Sequence, residues 1–146
     1  MVSRRGASNA VLDSVSMEAL KNVLEADPGV AYALVFGSTA RGTGHSGSDV
    51  DVAFALTEGR RPTVLQMGDL TSRLETATGR PVNLVDLVEA PPGLAYRVFR
   101  DGLVVAARDR QALVARRARA FLEYLDFQPV EEQFARGALA AAGRGR

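Results

Sequence analysis

The chain of 146 residues contains no cysteine and one histidine, His45. The absence of cysteine excludes disulfides, thiolate zinc sites and thiol nucleophiles, and a lone histidine excludes a metal site built from several imidazoles. The longest apolar run, Val30 to Phe36, is far shorter than the ~20 residues that span a bilayer. No apolar segment follows the N-terminal arginines, as it would in a signal peptide. We therefore expect a soluble, cytoplasmic protein.

Excess charge of either sign is also lacking, because the formal net charge is only +1. Bulk electrostatics therefore do not indicate binding to long nucleic-acid tracts. Lys21 is the only lysine among the 18 lysines and arginines. Arginine suits phosphate recognition, but a codon-composition bias explains the excess more simply.

Hydrophobic periodicity predicts one α/β domain with a helical C-terminal extension. Helices are expected over 16–26, 62–78 and 109–126, with a shorter one through Phe99, and strands over 30–36, 49–56, 81–88 and 103–107. The predicted core spans 14–108 and the helical extension 109–136. The polar or small-residue ends, 1–13 and 137–146, are expected to be flexible.

The chemically informative stretch is Gly37-Ser38 followed, ten residues later, by Asp49-Val50-Asp51. Aspartates two apart on a strand project from one face, with Cα atoms ~6–7 Å apart. Because paired carboxylates repel each other and are costly to dehydrate, the pair indicates a bound cation. Oxygen ligands favour magnesium or manganese over zinc. The simpler alternative is that both aspartates begin a strand in solvent, and the preceding Gly-Ser argues against it.

Gly37 and Ser38 leave the preceding strand at a turn that can bind phosphate. Backbone N–H groups at a strand-to-helix turn can contact phosphate oxygens, and the Ser38 hydroxyl can donate to them. Arg41 could reach triphosphate oxygens as a bidentate donor, or it could be a solvated surface arginine.

Asp86 lies within the apolar strand predicted over 81–88. Since ionised groups are rarely buried without a partner, it could join Asp49 and Asp51 as a third metal ligand and accept a proton. Alternatively it could pair with an arginine such as Arg41 or Arg80. Two metals ~3.5–4 Å apart would support attack on an α-phosphorus with pyrophosphate leaving. Without a Walker loop, γ-phosphate transfer is disfavoured.

These segments resemble a known family. Gly-Ser-Thr-Ala-Arg-Gly at 37–42, Ser-Asp-Val-Asp at 48–51 and the later Asp86 are similar to the motif of the DNA-polymerase-β-like nucleotidyltransferase superfamily. Residues 119–127 with Pro129 resemble the C-terminal helix of its stand-alone minimal nucleotidyltransferases of the MntA type, which act as antitoxins to HEPN-domain toxins. The resemblance covers residues 16–134, and the motif shows no departure that would indicate an inactive enzyme.

The resemblance implies a polymerase-β-like fold, with a small mixed sheet of about four strands flanked by helices. It implies that Asp49, Asp51 and Asp86 ligate two Mg²⁺ ions (or Mn²⁺), and that Gly37, Ser38 and Arg41 hold ATP. The implied acceptor is a tyrosine hydroxyl of a cognate HEPN ribonuclease toxin, which AMP addition silences within a hetero-oligomer. Two alternatives remain: direct binding of the toxin with a vestigial nucleotide site, or transfer to a small-molecule or RNA acceptor.

The last long helix carries an apolar stripe that comprises Leu113, Ala118, Phe121, Leu122 and Leu125. Its arginines, 116, 117 and 119, are expected on other faces. The stripe is expected to pack on the chain's own sheet. Tyr124, Phe127 and Phe134 add apolar surface beyond what one small domain needs, which favours a docking arm for another protein as the alternative.

Overall fold

The computed structural model describes residues 14–37, 40 and 49–126. Its elements are α1 (Ser14–Ala26), β1 (Val30–Phe36), β2 (Val50–Leu56), α2 (Val64–Thr78), β3 (Val82–Asp86), α3 (Pro92–Asp101) and β4 (Leu103–Ala107). A last helix, α4, begins at residue 110 and continues through residue 126. The predicted flexible ends and the extension beyond 126 lie outside the described residues. No helix in the described ranges is long and apolar enough to cross a membrane.

The strands form a four-stranded mixed sheet in the order β3-β2-β1-β4. β1 is antiparallel to both β2 and β4, whereas β2 and β3 are parallel. The connection between the parallel strands runs through α2, as a parallel pair requires. β1 and β2 are central and almost fully buried, which explains their continuous apolar sequences. The predicted fold class, an α/β domain with about four strands, is confirmed.

Helices cover both faces of the sheet and create two apolar layers. On one face, α1 and α2 contribute the buried side chains Leu20, Leu24, Leu70 and Leu74, which cluster with Val50, Val52 and Phe54 of β2. On the other face, α3 and α4 contribute Ala95, Val98, Leu113 and Ala120, which cluster with Ala53 and Ala55. The alternation along β2 therefore assigns Asp49 and Asp51 to the face that α3 and α4 share.

Several element boundaries differ from the periodicity-based prediction, and two of them have a clear physical cause. α2 begins at Val64, not at 62, because Thr63 caps it: the Thr63 hydroxyl accepts from the Gln66 N–H, and the Gln66 side chain accepts from the Thr63 N–H. β3 ends at Asp86, not at 88, because the Asp86 carboxylate accepts the Val88 N–H at 3.1 Å and begins a turn.

The buried face of α4 differs from the predicted stripe. Its buried residues are Leu113, Arg116 and Ala120, whereas Leu122 and Leu125 are 64% and 63% exposed. The prediction that Arg116 lies on another face is wrong, because its Nε donates to the Leu87 carbonyl at 3.1 Å. Burial lowers the pKa of Arg116, and the nearby charge of Arg119 acts in the same direction.

Tyr124 is held by the chain's own aromatic side chains. Its ring stacks on Tyr96 of α3 with centroids 3.9 Å apart, and Tyr96 meets Phe121 edge-on at 5.4 Å. These contacts stabilise the packing of α4 against α3, since such aromatic pairs contribute more stability than their buried area alone would give. The other two residues of the suggested docking arm, Phe127 and Phe134, lie outside the described residues.

Candidate active site

Asp49 and Asp51 lie at the start of β2, next to the end of β1. In the antiparallel pairing, Asp51 is opposite Phe36, the last residue of β1. The two carboxylates converge on one side chain: the Asn83 Nδ2 is 3.3 Å from Asp49 Oδ2 and 3.3 Å from Asp51 Oδ1. Asp49 and Asp51 therefore share one surface of the sheet, as their spacing predicts.

Gly37 follows β1 directly and lies against the Asp51 carboxylate. Its φ is +76°, a backbone conformation that side chains with a Cβ rarely adopt. A Cβ at this position would also collide with Asp51 Oδ2. Glycine is therefore required twice, once for the turn and once for the approach of the carboxylate. Ser38 and Arg41 lie outside the described residues, so their assignment to phosphate binding stays a prediction.

Asp86 is not part of this cluster, and the predicted convergence of three aspartates is wrong. In the parallel pairing of β2 with β3, Asp51 is opposite Asn83, and Asp86 is opposite Phe54. Asp86 lies three positions after Asn83, which corresponds to ~10 Å along the strand, and an odd offset places the two side chains on opposite faces.

The Asp86 carboxylate instead forms an ion pair at the other end of β3. Arg61 Nε donates to its Oδ2 at 2.7 Å, and the Arg61 Nη1 also reaches Glu89 at 2.6 Å. The alternative that Asp86 pairs with an arginine is thus correct in kind, although the partner is Arg61, not Arg41 or Arg80. Its side chain is only 12% exposed, so the pairing offsets the cost of burying the charge.

Asn83 is the site residue that sequence reasoning missed. It is exposed at the start of β3 and contacts both aspartates. The sequence does contain a signal for it, because Asp86 and Asn83 lie on opposite faces of the predicted strand 81–88 and Asn83 is the polar residue on its face. Because a carboxylate is a stronger ligand for a hard cation than an amide, the sequence pattern alone favours Asp86 over Asn83. An amide, not a third carboxylate, therefore contacts the aspartate pair.

The donor set fits a hard divalent cation but carries only two charges. Mg²⁺ and Mn²⁺ bind oxygen ligands of the kind found here, namely the Asp49 and Asp51 carboxylates and the Asn83 amide oxygen. Among residues 14–37, 40 and 49–126, no three His, Cys, Asp or Glu side chains lie together as a metal-binding group. Among these residues, the site consists of two carboxylates and the neutral amide that contacts both.

A family model described as "Polymerase beta, Nucleotidyltransferase" matches residues 18–111. The chain belongs to this nucleotidyltransferase family. The match includes Gly37, Asp49, Asp51 and Asn83, so the geometric cluster lies within the family's own domain. The predicted membership of the polymerase-β-like superfamily is confirmed. No curated protein sequence matches the chain.

Solved structures with the same fold include toxin–antitoxin complexes. A toxin–antitoxin crystallised with AMP-PNP has a TM-score of 0.72 at 21% identity, over 84% of this chain and 98% of that one. An MntA–HepT toxin–antitoxin has a TM-score of 0.69 at 18% identity, over 87% and 99%. A complex of a tri-AMPylated Shewanella oneidensis HEPN toxin with its MNT antitoxin has a TM-score of 0.68 at 18% identity, over 85% and 96%. These likenesses establish the nucleotidyltransferase fold.

Proposed function

We propose that this nucleotidyltransferase is an antitoxin that transfers AMP from ATP to a tyrosine hydroxyl of a cognate HEPN ribonuclease toxin and thereby neutralises it. Family membership supports nucleotidyl transfer. Proteins of the same fold were crystallised with AMP-PNP and with a tri-AMPylated HEPN toxin, which supports ATP as donor and a toxin as acceptor and partner.

The observation that carries the proposal is the convergence of Asp49 and Asp51 on one amide beside Gly37. Two carboxylates that contact the same amide at the start of a central strand suit the binding of Mg²⁺ or Mn²⁺, which would neutralise charge on the triphosphate. Gly37, Ser38 and Arg41 would hold the phosphates through backbone N–H groups, a hydroxyl and a guanidinium.

The transfer is a single displacement at phosphorus. The tyrosine oxygen forms a bond to the α-phosphorus while the bond from that phosphorus to the bridging oxygen breaks. Pyrophosphate leaves, and the phenolic proton passes to water at the open edge of the sheet. The contribution of this chain is positioning and charge, because the acidic pair and the turn at Gly37 orient the triphosphate for in-line attack.

The test is the intact mass of the toxin after incubation with the full chain, ATP and Mg²⁺. We expect the toxin to gain the mass of AMP. Asp51→Asn should lower the rate by about 10²–10³-fold, the usual loss when one group that stabilises developing charge is removed. Asp49→Asn should have a similar effect, since both carboxylates contact the same amide.

Asp69→Asn is the matched control, because Asp69 is an exposed aspartate of α2 whose carboxylate pairs with Arg73. Asp86→Asn should also retain transfer, because that carboxylate faces Arg61. Equal labelling by the wild type and an Asp49→Asn, Asp51→Asn double variant would contradict the proposal.

A second candidate, neutralisation by direct binding alone, is favoured by one observation. Val114, Leu122 and Leu125 are each more than 60% exposed and lie along one side of α4. Such an apolar strip suits a protein partner. In that case Asp51→Asn would still protect cells from the toxin, and the toxin recovered from the complex would have an unmodified mass.

A further inference from the structure

We propose that Asn83 is the third member of the site and that its neutral amide restricts the site to one divalent cation, the one that accompanies ATP. The inference rests on the proposed function and concerns a residue to which that function assigns no role. Its basis is the position of Asn83 opposite Asp51 in the β2–β3 pairing and its contact with both carboxylates.

The charge of the cluster favours one bound cation over two. Asp49 and Asp51 contribute two negative charges, and the Asn83 amide adds none. One divalent cation balances the two carboxylates, and further positive charge must be balanced by the phosphates of the nucleotide. A second cation held away from the phosphates would need another anionic ligand, since the affinity of oxygen sites depends on the number of charged ligands. Residue 83 contacts both aspartates, so a carboxylate at this position would supply that ligand.

The hydrogen bonds of Asn83 also stabilise the site before any cation binds. The Nδ2 group donates to both aspartates at 3.3 Å, so it lowers the repulsion between them. An aspartate at 83 would reverse this effect, because three carboxylates would then lie within contact distance. The same amide cannot accept a proton from an attacking hydroxyl, so residue 83 supplies no general base.

The experiment counts Mn²⁺ ions per chain by the electron paramagnetic resonance of free Mn²⁺, using the full chain with saturating AMP-PNP. We expect one ion for the wild type and two for Asn83→Asp, with the added ion bound at least about tenfold more tightly than any second ion of the wild type. Asn22→Asp is the matched control, because Asn22 is exposed on α1 and the substitution adds the same charge elsewhere. It should leave the count at one.

A charge-exchange variant keeps the test informative if Asn83→Asp does not fold. Asp51→Asn should lose the Mn²⁺ ion, and Asp51→Asn combined with Asn83→Asp should regain it, because the total charge and the donor positions are restored. Two ions in the wild type, an unchanged count in a folded Asn83→Asp variant, or no recovery in the double variant would each overturn the inference. If the expected counts are found while the toxin gains no AMP, the proposed function fails and this inference stands.

Discussion

At the scale of single residues, Gly37 connects backbone geometry to the chemistry of the site. The chain must turn sharply where β1 ends, and it does so with a φ of +76° beside the Asp51 carboxylate. Any side chain would strain the turn and also push that carboxylate away from its position. The stability of the fold and the position of the Asp51 carboxylate therefore both require a residue without a Cβ at position 37.

Gly37→Ala should accordingly reduce both stability and ligand binding. We expect the free energy of unfolding to fall by about 1–3 kcal/mol, the typical cost of an unfavourable backbone conformation. Mn²⁺ with AMP-PNP should bind more weakly, because the substitution displaces Asp51. Urea denaturation and a binding titration measure the two effects.

Gly68→Ala is the control for Gly37→Ala. Gly68 lies within α2, and a Cβ built there meets nothing within 4 Å. This substitution should raise stability by about 0.5–1 kcal/mol through helix propensity and leave binding unchanged. A Gly37→Ala protein that matches the wild type in both measurements would contradict the role given to the turn.

At the scale of elements, the attachment of α4 to the sheet depends on a buried arginine. The Arg116 side chain, which α4 contributes, is buried, and its Nε donates to the Leu87 carbonyl just after β3. Its two terminal nitrogens have no hydrogen-bond partner within the described parts of the chain. Glu123 has an oxygen 3.7 Å from Nη1 and is itself half exposed. Arg116 thus contributes packing and one hydrogen bond, whereas its charge is poorly compensated.

Truncation and apolar replacement of Arg116 should therefore differ. Arg116→Ala should cost about 2–4 kcal/mol of stability, because it leaves a cavity and an unpaired Leu87 carbonyl. Arg116→Met also leaves that carbonyl unpaired, but it keeps most of the volume and removes the buried charge, so it should cost about 1–2 kcal/mol less than Arg116→Ala. Urea denaturation of both variants measures the difference. Equal losses would mean that the guanidinium charge stabilises α4 more than its packing does.

At the scale of the whole molecule, α4 has two apolar sides with different environments. Leu113 and Ala120 are buried against the sheet, whereas Leu122 and Leu125 face outward. α4 also covers the sheet face to which β2 alternation assigns Asp49 and Asp51. A protein that binds the outer side of α4 would therefore lie on the same side of the sheet as the site.

Leu122→Asp should weaken the complex with the toxin by about tenfold or more, because a charge in an apolar contact must be desolvated. The variant should melt at nearly the wild-type temperature, since Leu122 is 64% exposed. Isothermal titration with the toxin measures the affinity. Leu65→Asp is the matched control, because Leu65 is 85% exposed but lies on α2, across the sheet. If both variants bind the toxin like the wild type, the outer side of α4 is not the docking surface.

Local pattern was sufficient for most of the elements and for three of the four described site residues. Apolar runs and helical periodicity located β1, β2 and α2 within a few residues, because both depend on neighbours in sequence. The sequence predicts Gly37, Asp49 and Asp51 as site residues for the same reason, because their grouping follows from two adjacent strands and the period of a strand. Arg116 was missed because a charged residue on a helix is ordinarily expected in solvent.

The sequence by itself determined the mixed α/β architecture, the glycine turn and the aspartate pair, since each follows from spacing within one or two neighbouring elements. Only the tertiary structure decided which residue of β3 completes the site. β2 and β3 pair across the intervening α2, so their register depends on how that helix packs, and a shift of one residue exchanges the faces of a strand. That register brings Asn83 to the aspartates and leaves Asp86 with Arg61.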